Sequence, residues 1–442
     1  MRYDEALKYL YSLQKHGIKL GLENPKALLK ALGMPKGLFT PSKQSTPCSF
    51  VHVAGTNGKG STCAALASIF RAAGFKTGLF TSPHLLSFTE RISVNGVQIS
   101  RDDVVRLAGE VAETVKRKLP GMSPTFFEVV TAMGFLYFRE HGVQKAVIET
   151  GMGGRLDATN VITPEVSVIT PVSMDHMEFL GGTLEKIAAE KAGIIKKSVP
   201  LVLAPQPDEA MRVMEKAAAR KRARIYAYGK DFSANLIDIS AGGIRFDYIS
   251  PDFELRDISF PLPGRFQSVN ASVAATAARL AGINDEEAIR KGLEHTELPG
   301  RFELLAEKPE TRLDGAHNPE AARALAALVK ELYPGREIVL VAGIMADKDI
   351  RGVLEALLPL ASKAVFTAPA YGRAAAPELL AEFARGLGYN EFECIAAVPD
   401  ALARARSLAG ADGLVLIAGS FYTAGEAKEV SAGGGTLTGL RE

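Results

Sequence analysis

The sequence predicts an α/β protein with two domains, and three observations support this prediction. The chain has 442 residues, which is too long for one ordinary domain and suits two. Short apolar, β-rich segments alternate with longer helical patterns. A glycine-rich segment at 55–60 follows one of the apolar segments and precedes a helical one. We therefore expect a P-loop mononucleotide-binding parallel sheet with a small antiparallel β element, followed by a smaller Rossmann-like α/β domain.

The apolar segments are predicted to be buried strands, because near-continuous apolar strands between helices are typical of parallel sheets covered on both faces. They are residues 50–54, 146–150, 166–170, 199–204, 338–342, 364–367 and 413–418. Residues 230–260 differ, since their alternation and turn residues predict antiparallel hairpins attached to the first domain. The segment LPG at 298–300 interrupts the pattern, so we expect domains at 1–298 and 299–442.

Composition excludes several classes of protein. Hydrophobic residues make up 47% of the chain and charged residues 23%, as expected for a globular, core-forming protein. The net charge is +2 without a basic run, so we expect no nucleic-acid partner. No stretch approaches the roughly 18 apolar residues of a membrane span, and the N-terminus has no apolar signal core. Cys48, Cys63 and Cys394 form no CxxC pair, which favours a reducing compartment and a cytoplasmic protein.

The strongest local signal is the phosphate loop, GTNGKGST at 55–62. Backbone N–H groups and the N-terminus of the following helix would point at a phosphate, and glycines let the backbone come close. Lys59 would supply a point charge for the β- and γ-phosphates. The spacing departs from G-x-x-x-x-G-K-[ST], so the alternative is a glycine-rich turn without a ligand. We assign nucleotide binding to Gly55, Thr56, Asn57, Gly58, Lys59, Gly60, Ser61 and Thr62.

Two further residues stand out by position. Glu149 ends an apolar strand and begins a glycine-rich turn, where a carboxylate either binds a ligand or stabilises the turn. The segment TLEKIAAEKAGIIK reads as a helix in which Ile187, Lys191 and Ile195 share one stripe. A lysine on such a stripe either extends to water or stays inside with a lowered pKa. His176 alone is more typical of a structural histidine, since magnesium prefers oxygen ligands.

The phosphate loop resembles that of the Mur ligase superfamily, and the glycine after the lysine is similar to its folate branch, the folylpolyglutamate/dihydrofolate synthase family. The resemblance covers nearly the whole chain, and the matching segments occur in the family's order. They are TSPHL (81–85), ERI (90–92), FFE (126–128), ETGMGGRLDATN (149–160), DHMEFLG (175–181), EKAGI (190–194), FQSVNA (266–271), PGRFE (299–303) and DGAHNP (314–319).

The resemblance implies a set of site residues. Ser82, Glu149, His176 and Lys191 would bind magnesium, with Lys191 carbamylated by CO₂ to help hold a second ion. Arg301 and Asp314 would contact ATP, although an arginine at this boundary could equally form a surface ion pair, and Asn270 would lie near the adenine. The residues implied in catalysis are Lys59, His176, Lys191 and His317.

The folate site is implied by the same resemblance. Aromatic rings can stack on a pterin, although two neighbouring phenylalanines are also typical of a core. The candidate residues are Thr125, Phe126, Phe127, Glu128, Leu156, Asp157 and Ala158.

The implied activity is ATP-dependent ligation of L-glutamate to dihydropteroate, to the γ-carboxyl of folates, or to both, by a monomer that uses ATP and Mg²⁺. The carboxylate would be phosphorylated by ATP, and the acyl phosphate would react with the amino group of glutamate. Two alternatives remain open at this point. One is a Mur cell-wall ligase, against which we expect the stretch before residue 50 to be too short for a UDP-binding domain. The other is a P-loop regulatory protein without ligase chemistry.

Overall fold

The computed structural model describes residues 2–17, 21–35 and 48–431. Two large sheets and one small sheet, with helices packed on them, make up an α/β architecture in which the first sheet precedes the second in sequence. The predicted fold class is confirmed. Within the described ranges, no helix is both long enough and apolar enough to cross a membrane.

The first large sheet has eight strands in the order β4-β3-β2-β5-β1-β6-β7-β8. Its strands are β1 (Ser49–Ala54), β2 (Thr77–Phe80), β3 (Ile92–Val94), β4 (Val97–Gln98), β5 (Lys145–Glu149), β6 (Val166–Ile169), β7 (Leu201–Leu203) and β8 (Ile225–Ala227). Strands β2, β5, β1, β6, β7 and β8 run parallel, and β3 and β4 add an antiparallel edge beside β2. The four predicted strands of this region are present, each within two residues of its predicted bounds.

The small sheet follows and is antiparallel, in the order β11-β10-β9. Its strands are β9 (Ser233–Ser240), β10 (Gly243–Ser250) and β11 (Phe253–Phe260). The hairpins predicted for 230–260 are therefore confirmed.

The second large sheet has six strands in the order β12-β13-β17-β14-β15-β16. Its strands are β12 (Glu303–Glu307), β13 (Glu310–Leu313), β14 (Ile338–Ala342), β15 (Lys363–Ala368), β16 (Phe392–Ala397) and β17 (Leu414–Ala418). All are parallel except β12, which pairs with β13 in the antiparallel sense. The predicted boundary near 298–300 lies in the loop before β12, and the division into two domains there stays a prediction.

The helices cover the faces of the sheets, and most have one buried stripe. They are α1 (Tyr3–Ser12), α2 (Glu23–Ala31), α3 (Lys59–Ala72), α4 (Arg101–Lys118), α5 (Phe126–Glu140), α6 (Met177–Leu180), α7 (Leu184–Lys191), α8 (Asp208–Lys221), α9 (Arg265–Leu280), α10 (Glu286–Glu294), α11 (Pro319–Leu332), α12 (Ile350–Leu357), α13 (Pro377–Gly386), α14 (Val398–Ala409) and α15 (Phe421–Ser431).

Strand β1 shows why its sheet is buried on both faces. Phe50 packs in an apolar cluster with α5, whereas Val51 and Val53 pack in a second cluster with α3 and α9. Successive side chains of a strand point to opposite faces, so a strand covered on both sides must be apolar at almost every position. Among the buried residues of β1, His52 is the polar exception, and it is fully buried.

The helix that carries Lys191 is shorter than predicted. Helix α7 ends at Lys191, the chain continues as one 3₁₀ turn (Ala192–Ile194), and Ile195 has extended backbone angles. The predicted stripe that included Ile195 at i+8 is therefore wrong, although Ile187 and Ile195 are both buried. The glycine at 193 explains the early end, because glycine weakens a helix interior.

Candidate functional site

A cavity of about 380 Å³ lies between the carboxyl edges of the two large sheets. Strands β2, β5, β1 and β6 are neighbours, so the loops that leave their carboxyl ends meet on one side of the cavity. Strands β13, β17 and β14 are neighbours in the other sheet, and the loops after β13 and β17 line the opposite side. Ligands of parallel α/β sheets bind at such edges, so this cavity is the candidate site.

The phosphate loop lines the cavity from Gly55 to Ser61, whereas Thr62 is buried outside it. Helix α3 begins at Lys59, and its free N–H groups face the loop. Gly58 caps this helix with a left-handed φ of 85°, and a Cβ there would lie 2.4 Å from Asn270 Oδ1. Only glycine fits this position. The N-terminus of α3 is therefore open to an anion, and the backbone of the loop could approach that anion closely.

Two lysines share one carbonyl oxygen of the loop. Lys59 Nζ donates to Gly55 O at 3.2 Å and to Thr56 O at 3.0 Å, and Lys191 Nζ donates to Gly55 O at 2.6 Å. Burial and, to a smaller extent, the nearby Lys59 ammonium lower the pKa of Lys191 to about 7. Of the two alternatives for Lys191, extension to water or a buried position with a lowered pKa, the structure has the second. The amine is buried and is partly neutral near pH 7.

The residues proposed for magnesium all line the cavity: Ser82, Glu149, His176 and Lys191. Glu149 is buried, and its Oε2 accepts a hydrogen bond from the backbone N–H of Ser82 at 3.1 Å. Burial raises the pKa of Glu149, although Lys59 and the Ser82 N–H oppose that rise. A buried carboxylate of this kind is stabilised by a cation.

The oxygen atoms of Glu149 and Ser82 fit a hard cation that takes its remaining ligands from water or a bound molecule. In the part of the chain that the structure describes, no cluster of three or more His, Cys, Asp or Glu side chains could enclose an ion. Magnesium usually takes one or two carboxylates and completes its shell with phosphate oxygens and water. Glu149 and the Ser82 hydroxyl beside a phosphate loop match that pattern.

Asp175 joins the two sides of the cavity. Its carboxylate accepts a hydrogen bond from Lys348 Nζ at 2.8 Å, and His176 Nε2 and His317 Nε2 each lie 3.8 Å away. Although burial acts to raise it, these neighbours hold the pKa of Asp175 well below its usual range. Burial lowers the pKa of His176 to about 4, so its ring is neutral at pH 7.

The second sheet contributes Asp314 and His317 after β13. Asp314 accepts hydrogen bonds from the backbone N–H groups of Phe302 at 2.9 Å and Ala316 at 2.8 Å, and burial raises its pKa. His317 Nδ1 lies 2.9 Å from Gly315 O, so Nδ1 is the protonated nitrogen and Nε2 faces Asp175. Arg301 lies over the ring of Phe421, 4.5 Å from its centroid, and both line the cavity.

The other end of the cavity is more apolar. Asn270 of α9 donates to Gln267 Oε1 at 2.9 Å, and both side chains line the cavity beside Phe266. Leu325 and Leu328 of α11 face them from the second domain. A flat base could lie between such walls with amide groups at its edge.

The predicted folate residues of α5 lie outside the cavity. Thr125 and Glu128 form the capping box of this helix, with Thr125 N to Glu128 Oε2 at 2.7 Å and Glu128 N to Thr125 Oγ1 at 3.3 Å. Phe126 stacks on Tyr11 at 5.6 Å between ring centroids, as a core ring does. Phe127 lies behind the cavity wall, where a Cβ on Gly151 would come within 2.5 Å of its ring.

The predicted residues of the glycine-rich turn also lie behind the wall. Ala158 and Asp157 are buried, and Leu156 is half-buried. Asp157 caps the 3₁₀ helix Ala158–Val161 through Thr159 N at 3.0 Å. The roles assigned to the seven folate residues stay predictions.

Sequence reasoning missed several residues that lie in or beside the cavity. Asp175 was read only as part of a motif, and its signal was a carboxylate shortly after a predicted strand. Lys348, Asn318 and Glu320 form contacts across the cavity, since Asn57 Nδ2 donates to Glu320 Oε2 at 2.9 Å and Asn318 Nδ2 donates to Asn57 Oδ1 at 3.0 Å. Pairs separated by more than 140 residues leave no local pattern that predicts them.

These features define a class of protein, a nucleotide-dependent ligase built from two Mur-type domains. Residues 53–278 match the Mur ligase middle domain, and residues 300–421 match the Mur ligase glutamate ligase domain. The chain is 35% identical over 429 residues to a dihydrofolate synthase/folylpolyglutamate synthase of Bacillus subtilis, covering 95% of this chain and 97% of that protein. The chain belongs to the folylpolyglutamate synthase/dihydrofolate synthase family.

Two further comparisons agree with this family. The chain is 38% identical over 430 residues to a probable bifunctional folylpolyglutamate synthase/dihydropteroate synthase of Halobacterium salinarum, covering 97% of this chain. It spans only 51% of that relative's length. The structure is similar to that of the Escherichia coli protein FolC in complex with DHPP and ADP. The TM-score is 0.86 and the sequence identity is 32%, and the match covers 98% of each chain.

Proposed function

We propose that this protein ligates L-glutamate to dihydropteroate, to reduced folates, or to both, with cleavage of ATP to ADP and phosphate. The observation that carries the proposal is the single cavity in which the phosphate loop, Glu149 and Lys191 face Arg301 and His317 of the second sheet. The Bacillus subtilis relative is named for both activities, and the Escherichia coli structure holds ADP.

In this proposal ATP lies along the cavity. Its base occupies the end beside Asn270, and its β- and γ-phosphates lie on the loop from Gly55 to Ser61. Lys59 leaves the carbonyl oxygens of the loop and turns to the phosphates, because an ammonium gains more from a phosphate than from neutral carbonyls. Arg301, held over Phe421, approaches the phosphates from the second domain.

Magnesium would be held by Glu149 and Ser82 together with phosphate oxygens. When bound, it would neutralise charge that develops on the phosphates during transfer. His176 and Lys191 lie beside the same position, and a carbamate on Lys191 would add a second carboxylate for a second ion. The partly neutral Lys191 amine supports this step, because CO₂ reacts with the neutral amine.

The reaction proceeds in two steps. The acceptor carboxylate attacks the γ-phosphorus of ATP, the bond to the β–γ bridging oxygen breaks, and ADP leaves. The uncharged amino group of L-glutamate then attacks the acyl phosphate, the amide forms and inorganic phosphate leaves. Neutral His176 and the Nε2 atom of His317 both face the cavity and are candidates to accept the proton of the attacking amine.

Two domains at 1–298 and 299–442 fit this chemistry. Each sheet provides one side of the cavity, so approach of the two sides excludes water, which would otherwise hydrolyse the acyl phosphate. The contacts of Asn57 with Asn318 and Glu320, and of Asp175 with Lys348, join the two sides. The monomeric state and the cytoplasmic location stay predictions.

The experiment measures phosphate release from ATP in the presence of Mg²⁺ and L-glutamate, and the masses of the products. It compares three conditions: dihydropteroate as acceptor, tetrahydrofolate as acceptor, and no acceptor. Addition of glutamate to both acceptors is the expected result for a bifunctional synthase, and addition to tetrahydrofolate alone would narrow the activity to polyglutamylation. A Lys59→Ala variant should lose turnover, whereas Lys116→Ala on the exposed end of α4 is the matched control. ATP binding without addition to either acceptor would contradict the proposal and favour a cell-wall ligase or a regulatory protein.

A further inference from the structure

A buried chain of hydrogen bonds runs from the cavity wall to the middle of the first sheet. Thr159 Oγ1 lies 2.5 Å from Asp157 Oδ1, and His52 Nε2 lies 2.9 Å from the same hydroxyl oxygen. His52 and Thr159 are 0% exposed and Asp157 is 7% exposed. The proposed mechanism uses neither His52 nor Thr159, so a fully buried polar pair behind the site needs another explanation.

Asp157 is saturated by donors from its own turn. Oδ1 accepts from the backbone N–H of Thr159 at 3.0 Å and from its hydroxyl, and Oδ2 accepts from the N–H of Met152 at 2.9 Å. The N–H of Gly151 also stabilises the carboxylate. A carboxylate has about four lone-pair sites, so these groups occupy them all. In this conformation Asp157 holds the turn together.

The direction of the hydrogen bonds follows from the proton count. The single proton of the Thr159 hydroxyl points to the Asp157 carboxylate, so the hydroxyl oxygen accepts a hydrogen bond from the Nε2–H group of His52. The reverse direction would place the ring proton on His52 Nδ1, which has no partner among the described residues. An orphaned buried N–H is rarer than an orphaned acceptor, so the Nε2–H tautomer is favoured. Burial lowers the pKa of His52 to about 3, which keeps the ring neutral.

The far end of this chain of hydrogen bonds lies in the central strand of the sheet, whereas the near end lies in a glycine-rich turn. His52 is held in β1 between Ile148 of β5 and Ser167 of β6. The turn that Asp157 closes contains glycines at 151, 153 and 154, and glycine leaves a backbone many conformations. Gly151, Met152 and Gly153 of this turn line the cavity directly after Glu149.

We propose that His52 and Thr159 are positioning residues, which hold the cavity-lining turn at 150–157 in place by fixing Asp157 from the central strand of the sheet. This inference rests on the proposed function, since it assigns both residues to the same site. Loss of the His52 donor loosens the turn, and with it the cavity wall at residues 151–153, while the phosphate loop, which follows β1, keeps its own contacts. His52 acts through Thr159 and Asp157 and touches no reacting atom.

The test measures amide exchange in the turn and steady-state kinetics in the same variants. In His52→Leu, exchange of the Met152 amide and the KM for the folate acceptor should each rise about tenfold, the equivalent of one lost hydrogen bond. The dissociation constant of ADP should stay within about twofold. His52→Gln, which keeps a donor, should return both values toward those of the wild type, and His295→Leu, at an exposed histidine, is the matched control.

A second pair of variants tests the same inference if His52→Leu fails to fold. Thr159→Val removes the hydroxyl at nearly constant volume and should raise exchange at Met152, whereas Thr159→Ser should not. Imidazole ¹⁵N shifts of the wild type should show the Nε2–H tautomer of His52. An Nδ1–H tautomer, or unchanged exchange at Met152 in both His52→Leu and Thr159→Val, would overturn the inference. If the wild type ligates no glutamate, the proposed function fails, whereas the exchange data still decide whether His52 positions the turn.

Discussion

Lys348 of the second sheet donates a hydrogen bond to Asp175 of the first across the cavity, with 2.8 Å between Nζ and Oδ1. The two side chains are 11% and 9% exposed. A pair so well shielded is little screened by salt, so it favours the arrangement in which the two sides of the cavity face each other. Asp175 follows β6 and Lys348 follows β14, so the pair joins two loops from the carboxyl edges of different sheets.

Replacing Lys348 by methionine should impair turnover more than binding of nucleotide to the phosphate loop. The change leaves Asp175 buried without its cationic partner, which costs roughly 3–5 kcal/mol when a buried pair is broken. We expect the sides of the cavity to separate, with a fall in kcat/KM of at least about a hundredfold, and small-angle scattering should show a larger radius of gyration. Lys348→Arg, which keeps the charge, should retain more activity. An unchanged kcat/KM in Lys348→Met would contradict the role of this pair in closure.

Replacing Glu149 by glutamine should weaken the use of magnesium. The amide keeps the shape and an oxygen that can accept from Ser82 N–H, but it removes the charge that would bind a cation. We expect the Mg²⁺ concentration for half-maximal turnover to rise at least about tenfold. Even a hydrogen bond to a charged group is worth roughly 1.5–3 kcal/mol, and the lower value corresponds to about tenfold. The measurement is a magnesium titration at saturating ATP, and a curve that superimposes on that of the wild type would remove Glu149 from the metal site.

Carbamylation of Lys191 should depend on pH. Burial and the Lys59 ammonium lower the pKa of Lys191 from 10.5 to about 7, so the neutral amine is a minority at pH 6 and the majority at pH 8. Because CO₂ reacts with the neutral amine, bicarbonate should produce more carbamate as the pH rises through 7. Alkylation with a trialkyloxonium salt followed by peptide mass analysis would trap the product. Lys186, exposed on the same helix, is the internal control, and absence of trapped carbamate at pH 8 would contradict the prediction.

Replacing Thr125 by alanine should separate a capping role from a substrate role. Loss of the capping box of α5 costs about 1 kcal/mol, which lowers Tm by roughly 2–4 °C in a domain of this size. Thr125→Ser should keep the cap and the wild-type Tm. If Thr125 acts only as a cap, the acceptor KM of Thr125→Ala should remain close to that of the wild type. A large rise in KM with unchanged Tm would instead show a direct contact with the acceptor.

Much of the fold was predictable because buried parallel strands are apolar throughout. The segments at 338–342 and 50–54 stand out in the sequence for this reason, and the structure has strands at Ile338–Ala342 and Ser49–Ala54. The phosphate loop was predictable from its glycines, since Gly58 requires a conformation that other residues rarely adopt.

The parts that could not be predicted depend on contacts between distant residues. Nothing local indicates that Lys348 meets Asp175, or that His52 meets Thr159. The end of α7 was misread because an apolar stripe continued beyond Lys191, whereas the backbone there already turns. Phe126 and Thr125 carry a family motif, but their visible contacts are a core stacking pair and a helix cap.

The wall at Gly151 separates the cavity that holds the phosphate loop from the side chains of α5 behind it. Phe127 packs against one face of this wall, and Glu149 begins the same turn on the other. Changes in α5 therefore reach the cavity only through this turn, while the phosphate loop, which follows β1, keeps its own contacts. Gly151 is the position at which any larger residue would push the wall and the ring of Phe127 apart.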